Sequence, residues 1–255
     1  MIPELVFIIP YRSREAHLNA YSQTMKYLLD EIKDIPYEMV VSEQGDNKDF
    51  NRGAMKNAGF IYIRNKYPNN YQNMTFVFND VDLFPGVKGI IPHYITKKGV
   101  IKHFYGFTFA LGGIFSILGS DFERVNGFPN YWGWGFEDNC IHQRALKNKI
   151  TINRENFSNI GHLNWVHAFH GSARKLDNKV THKYLEDKQN NNGISTIKIT
   201  NVSEKYFDSD INMNKITINE WDIPEKFDEI NYEINNNPTK ILQNKVNMGD
   251  IMRMR

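Results

Sequence analysis

Val6-Phe-Ile-Ile-Pro is a continuous apolar run with β-branched members, which predicts a buried strand ended by Pro10. Leu18, Tyr21, Met25, Leu28, Leu29 and Ile32 then recur at three- and four-residue spacing, placing one apolar stripe on a helix from about Glu15 to Lys33. Glu38 to Ser42 predicts a second strand, Phe50 to Arg64 a second helix with Ala54, Met55, Ala58 and Ile61 inward, and Thr75-Phe-Val-Phe-Asn a third strand. Strand, helix, strand, helix, strand is the pattern of a parallel sheet wrapped by helices, an α/β fold. Further on, Gly106 to Gly135 is rich in glycine and aromatics, as loops lining a site are. Ile194 to Val202 and Lys215 to Ile218 read as late strands. The expected organisation is one domain over 1–220 and a polar C-terminal extension over 221–255.

Composition narrows the function classes. The 255 residues are 41% hydrophobic and 24% charged, ordinary globular values, and the formal net charge of +2 lacks any block of like charges, so nucleic acid is not an expected partner. The longest weakly polar run, Phe107 to Leu118, is about half of the roughly 20 residues that a membrane helix requires. Leu5 to Ile9 is too short for a signal-peptide core and has no basic flank. Cys140 stands alone, which excludes an intrachain disulfide and fits a reducing compartment. The abundance of Asn, Lys and Ile suggests an AT-rich genome. From these features the expected setting is the cytoplasm, in a bacterium or in cells infected by a large DNA virus.

In open α/β sheets ligands bind beyond the carboxyl ends of the strands, so the polar residues there are the first candidates. They are Arg12 and Arg14, then Gln44 to Asp46, then Asp80 and Asp82. Asp80-Val81-Asp82 follows an apolar strand and could present two hard anionic ligands to a divalent cation, although the same triplet would serve as a solvated turn or a helix cap. His167 and His170, three residues apart, suit a helical turn or curled loop gripping a metal, or equally an exposed or backbone-bonded pair. One carboxylate with two imidazoles favours manganese over magnesium. Glu137 and Asp138 follow Trp132-Gly-Trp-Gly-Phe. Tryptophan faces and paired acids suit a sugar site, with a carboxylate to take a hydroxyl proton; acids at a helix N-terminus also complement its dipole.

The motifs Phe7-Ile-Ile-Pro-Tyr-Arg-Ser-Arg, Phe50-Asn-Arg, Phe78-Asn-Asp-Val-Asp-Leu-Phe-Pro, Gly112-Gly113 and Asn126-Gly-Phe-Pro-Asn-Tyr-Trp-Gly-Trp-Gly-Phe-Glu-Asp-Asn occur in this order over roughly residues 5 to 220. In them the sequence resembles the β-1,4-galactosyltransferase family. The resemblance implies a single Rossmann-like nucleotide-sugar transferase domain of type A, with a mixed central sheet flanked by helices, and inversion at the anomeric carbon. It implies that Pro10, Tyr11, Arg12 and Arg14 hold uridine diphosphate, that Phe50 and Arg52 close on uracil and ribose, and that Asp80, Val81 and Gly113 line the donor site. Asp82, His167 and His170 would hold manganese, or magnesium in its place. His167 stands where many members carry methionine. Trp134 would touch donor phosphate and acceptor, and Glu137 and Asp138 would bind the acceptor, Asp138 as general base.

Some positions depart from the family pattern. Asn139 replaces the third acid of a Glu-Asp-Asp run, and Ala110 stands before Leu111-Gly-Gly where galactose-transferring members carry tyrosine. A small residue there accompanies N-acetylhexosamine donors. The membrane anchor, stem and disulfides of the Golgi members are accordingly not expected here. The expected function is a manganese-dependent inverting transfer of N-acetylhexosamine or galactose from a UDP-sugar to a glycan or glycoprotein hydroxyl. The rivals are the same fold with UDP-glucose or UDP-GlcNAc as donor, and an inactive glycan-binding protein.

Overall fold

The computed structural model describes residues 1–168, 174–177, 179, 183, 187, 190–227 and 232–235. The first half follows the expected alternation: β1 (Leu5–Tyr11), α1 (Glu15–Leu28), β2 (Tyr37–Gln44), α2 (Arg52–Lys66) and β3 (Thr75–Asn79). After it come β4 (Leu83–Pro85), β5 (Val100–Gly106), β6 (Ile114–Leu118), α3 (Gly119–Arg124) and α4 (Glu137–Lys147). The short strands β7 (Thr151–Asn153), β8 (Ser158–Asn159), β9 (Trp165–His167) and β10 (Arg174–Asp177) follow, then β11 (Lys198–Asp208), β12 (Met213–Asp222) and β13 (Tyr232–Asn235).

Among the described residues the main sheet runs β11-β12-β2-β1-β3-β6-β5-β7, with β8 alongside β5. β1 pairs in parallel with β2 and β3, whereas β6 is antiparallel to both β3 and β5, so the sheet is mixed. Every residue of β1 is buried, which accounts for its unbroken apolar run: a central strand covered on both faces has no polar side to present. Alternate residues feed two cores. Val6 and Ile8 face α2, Phe60 and Phe78, while Leu5, Phe7 and Ile9 face Leu18, Tyr21 and Met25 of α1.

Element ends differ from the pattern in ways local physics explains. The α1 stripe was expected to reach Lys33, but the α-helix stops at Leu28 and Leu29–Ile32 tighten into a 3-10 turn, a common way for a helix end to satisfy its last carbonyls. In α2 Phe60 and Ile63 are fully buried, while Ile61 is only partly so. The first late strand begins at Lys198, because the 193–197 stretch instead makes a turn, with Ile197 N–H donating to the Gly193 carbonyl. Residue 220 is not a break in packing: β12 continues to Asp222, Trp221 and Ile223 are core residues, and Phe227 packs against them. Among the described residues no helix is long and apolar enough to cross a membrane.

Candidate active site

The carboxyl ends of β1, β2 and β3 deliver the candidate residues to one edge of the sheet. Pro10 and Tyr11 close β1, with Tyr11 paired in register with Glu43 at the end of β2. Arg14 occupies the N-cap of α1 without capping it through its side chain; its guanidinium instead donates to the Asp82 carboxylate at 2.8 Å. Arg12 places Nη1 in a buried position with no hydrogen-bond partner among the described residues, a donor that an anion could satisfy. At the end of β2 the buried Gln44 amide donates to the Asp49 carbonyl, and its Oε1 accepts from Asn51 N–H at 2.8 Å. Asn51 then caps α2, accepting from Ala54 N–H at 2.9 Å. That cap fixes the first turn of α2, from which Arg52 reaches the site, while Phe50, just before the cap, is half-buried against the core.

Arg52 is the hub. Nε donates to Glu137 at 2.7 Å, Nη1 to Asp80 at 2.8 Å and Nη2 to Asp138 at 3.0 Å, with a second contact from Nη2 to Glu137. One turn on, Lys56 lies beneath it, 1% exposed, with Nζ 3.4 Å from both Asp80 and Asp138. Helix α4 supplies the acids from its first turn, after Phe136 adopts a left-handed φ of 64°, a strained conformation for a bulky side chain. The charges explain the protonation pattern. Burial pushes Asp138 up to about 6, with Lys56 and Arg52 opposing and Glu137 and Asp80 reinforcing. Burial also works against the Glu137 anion, but Arg52 and Lys56 outweigh it and hold that carboxyl below its usual range.

The glycine turn between β5 and β6 forms the wall facing Asp138. A Cβ on Gly112 would lie 2.8 Å from Asp138 Oδ2, so the missing side chain is the space the carboxylate occupies. Leu111 N–H donates to the Asp138 carbonyl at 3.0 Å, and Asn139 donates to the Phe109 carbonyl. Gly113 follows in the turn, and Ala110 is buried two residues before Gly112. Trp134 lies in the loop between α3 and α4, its N–H donating to the Lys175 carbonyl. Trp132 is pinned by Glu225, which accepts from its backbone N–H through Oε2 and from its indole through the carbonyl oxygen.

The metal candidates sit on a small ladder. β4 and β9 are antiparallel with Leu83 opposite His167, and the Asp82 carbonyl accepts from Ala168 N–H at 2.7 Å. Asp82, 4% exposed and ion-paired with Arg14, thus stands one residue before the position opposite the exposed His167, and carboxylate and imidazole are donor types that suit manganese. His167 ends a strand and is not on a helical turn, and His170 lies outside the described residues. Among the described residues no three His, Cys, Asp or Glu side chains converge as a metal site. Val81 between the acids is buried in the core.

Lys56 was not among the candidates read from the sequence, and neither was the buried amide network behind the site. Asn57 donates to the Phe128 carbonyl and to Asn130, which donates to the Gly193 carbonyl, lashing α2 to the segment before the tryptophan loop. For Lys56 a signal existed, since Arg52 and Lys56 stand at i and i+4 on the first turns of a helix that starts beyond a strand end.

Two family models match the chain: the N-terminal region of glycosyl transferase group 7 over residues 3–88, and the N-terminal domain of galactosyltransferase over residues 100–170. The xylosylprotein 4-beta-galactosyltransferase of Caenorhabditis elegans is 30% identical over 183 residues, covering 68% of this chain and 61% of that protein. Beta-1,4-galactosyltransferase 1 of Mus musculus is 31% identical over 161 residues, covering 60% and 39%. The chain thus spans about three fifths and two fifths of these relatives' lengths. The catalytic domain of Drosophila β-1,4-galactosyltransferase 7, solved with xylobiose, superimposes with a TM-score of 0.67 at 18% identity over 89% of this chain and 97% of that one, which establishes the fold. A variant of that Drosophila enzyme, solved with manganese, UDP-Gal and xylobiose, gives 0.64 at 17% identity. The expected bacterial or viral cytoplasm does not stand, because these relatives are animal galactosyltransferases, a group typically lumenal in the Golgi. Family models over both halves of the domain, relatives at 30% identity and a shared fold make this chain a member of the β-1,4-galactosyltransferase family.

Proposed function

We propose that the chain is an inverting glycosyltransferase that moves a sugar from a UDP-sugar to a glycan hydroxyl, with Asp138 as the general base. The observation that carries this reading is the seating of the Asp138 carboxylate in the Gly112 notch, between two cations and beside Glu137, at the carboxyl edge of the sheet. Asp138 takes the acceptor hydroxyl proton as the oxygen attacks the anomeric carbon in line; the bond from that carbon to the diphosphate oxygen breaks, and UDP leaves. Glu137, kept ionised by Arg52, accepts hydrogen bonds from the acceptor. Pro10, Tyr11, Arg12, Arg14, Phe50, Arg52, Asp80, Val81 and Gly113 form the donor site, and Trp134 covers both substrates. Asp82, His167 and His170 would hold manganese, whose charge would stabilise the departing diphosphate.

Ala110 supports an N-acetylhexosamine donor over galactose, because a small buried residue beside the glycine turn leaves room for an acetamido group. The nematode relative acts on xylosylprotein by its name, and the Drosophila structures hold xylobiose, so xylose-ended acceptors come first. The test is a UDP-release assay with manganese across UDP-Gal, UDP-GalNAc, UDP-Glc and UDP-GlcNAc, with β-xylosides and N-acetylglucosaminides as acceptors. Release that requires both metal and acceptor supports the reading. Silence across the whole panel refutes it.

A further inference from the structure

Lys56 is the least expected group in the site. It lies on a stretch of α2, Gly53 to Phe60, in which every residue is buried, and its own side chain is 1% exposed. A buried lysine is costly unless paired, and an apolar side chain of similar volume would often pack there at no loss in stability. Its ammonium lies over the Phe128 ring, with Nζ 4.6 Å from the centroid and 3.4 Å from both Asp80 Oδ1 and Asp138 Oδ1.

The two cations of the site differ in reach. Arg52 is 26% exposed and spreads over Asp80, Glu137 and Asp138 from the open side. Lys56 touches Asp80 and Asp138 from below and has no contact with Glu137 among the described residues. A diphosphate entering the site can draw the Arg52 guanidinium toward itself, whereas an ammonium enclosed at the base of the site has nowhere else to go. Asp138 is faced by Arg52 and Lys56 from α2, by Asp80 from the β3–β4 connection, and by Glu137 from its own helix. With Arg52 engaged elsewhere, Lys56 would be the one cation left against three carboxylates.

We infer that Lys56 is a positioning residue for the transfer step: its buried ammonium holds the Asp138 carboxylate ionised and fixed in the Gly112 notch. Asp138 then has one oxygen on Lys56 and the other on Arg52, so its orientation is set before an acceptor arrives. The inference rests on the proposed role of Asp138, and its test is separable from it.

The test is a carbon-13 NMR titration of the Asp138 carboxyl, identified by its loss in Asp138→Asn, in wild type, Lys56→Met, Lys56→Gln and Lys56→Arg. Kcat and KM are measured against pH beside it. Losing the ammonium in Lys56→Met should raise the Asp138 midpoint by about one pH unit or more, a change of about tenfold in the ionised fraction below it. The acidic limb of kcat should move up equally while KM for the UDP-sugar stays within about threefold. Lys56→Gln, which keeps a polar side chain and suits a fold intolerant of methionine, should follow Lys56→Met, and Lys56→Arg should bring the midpoint part of the way back. An unchanged midpoint in both neutral variants overturns the inference. The titration reads Lys56 whether or not the wild type turns over, so absence of transfer counts only against the proposed function.

Discussion

Gly112→Ala is a minimal perturbation aimed at Asp138, the proposed general base. Gly112 is outside the left-handed region, so alanine carries no backbone penalty there, and the whole effect comes from one methyl group. That methyl would stand 2.8 Å from Asp138 Oδ2 and 3.3 Å from its Cγ, about 0.6 Å inside ordinary contact for the oxygen. The carboxylate must yield, because the opposing wall is the backbone turn held by Leu111 N–H on the Asp138 carbonyl. A displacement of about 1 Å at a reacting group costs about 10²-fold, so this smaller shift should lower kcat by about 10- to 100-fold. Overpacking should cost about 1–3 kcal/mol in stability, read by denaturant unfolding. KM for the UDP-sugar should change little, because the methyl points at the acid rather than at the donor arginines. Steady-state kinetics with a fixed acceptor, beside calorimetric binding of the UDP-sugar, separates the two effects. A Gly112→Ala enzyme that folds and turns over within twofold of wild type would refute the seating of Asp138 as the basis of catalysis.

Asp138→Asn should lose about 10²- to 10⁴-fold in kcat with donor binding retained in calorimetry; near-normal turnover would move the base to Glu137. With Asp138 pushed up to about 6 by burial, kcat should fall as pH drops below about 6. The same group binds its proton more readily folded than unfolded, so its contribution to stability should decline as pH rises from its ordinary 3.8 through about 6, measured by unfolding of wild type against Asp138→Asn. Asp82→Ala should abolish manganese-dependent UDP binding while the melting temperature without metal shifts only slightly; unchanged manganese-UDP affinity would remove Asp82 from the proposed metal ligands. Ala110→Tyr should shift preference from N-acetylhexosamine to unsubstituted hexose by about 10- to 200-fold in kcat/KM, and competition between UDP-GalNAc and UDP-Gal decides it.

Much of this was legible in the chain itself. The first strand, from Leu5 to Tyr11, announces itself because a strand covered on both faces must be apolar throughout, and α1 because one buried stripe leaves a 3.6-residue period. The motif residues could be placed at strand ends and helix starts, since those positions follow from local periodicity alone. The mixed direction of the sheet could not: β6 runs antiparallel to β3, and nothing within either segment encodes the pairing. The ladder that sets His167 opposite Leu83 beside Asp82 joins residues some eighty positions apart. Lys56 shows the limit most clearly. As a sequence letter it is an ordinary helix cation that belongs in water; only the approach of Phe128, Asp80 and Asp138 from three other segments removes the water and turns it into a buried counter-charge. Periodicity is a local property that a single segment can display. Charge in a buried site belongs to whichever distant segments close around it, and that is decided only when the chain is folded.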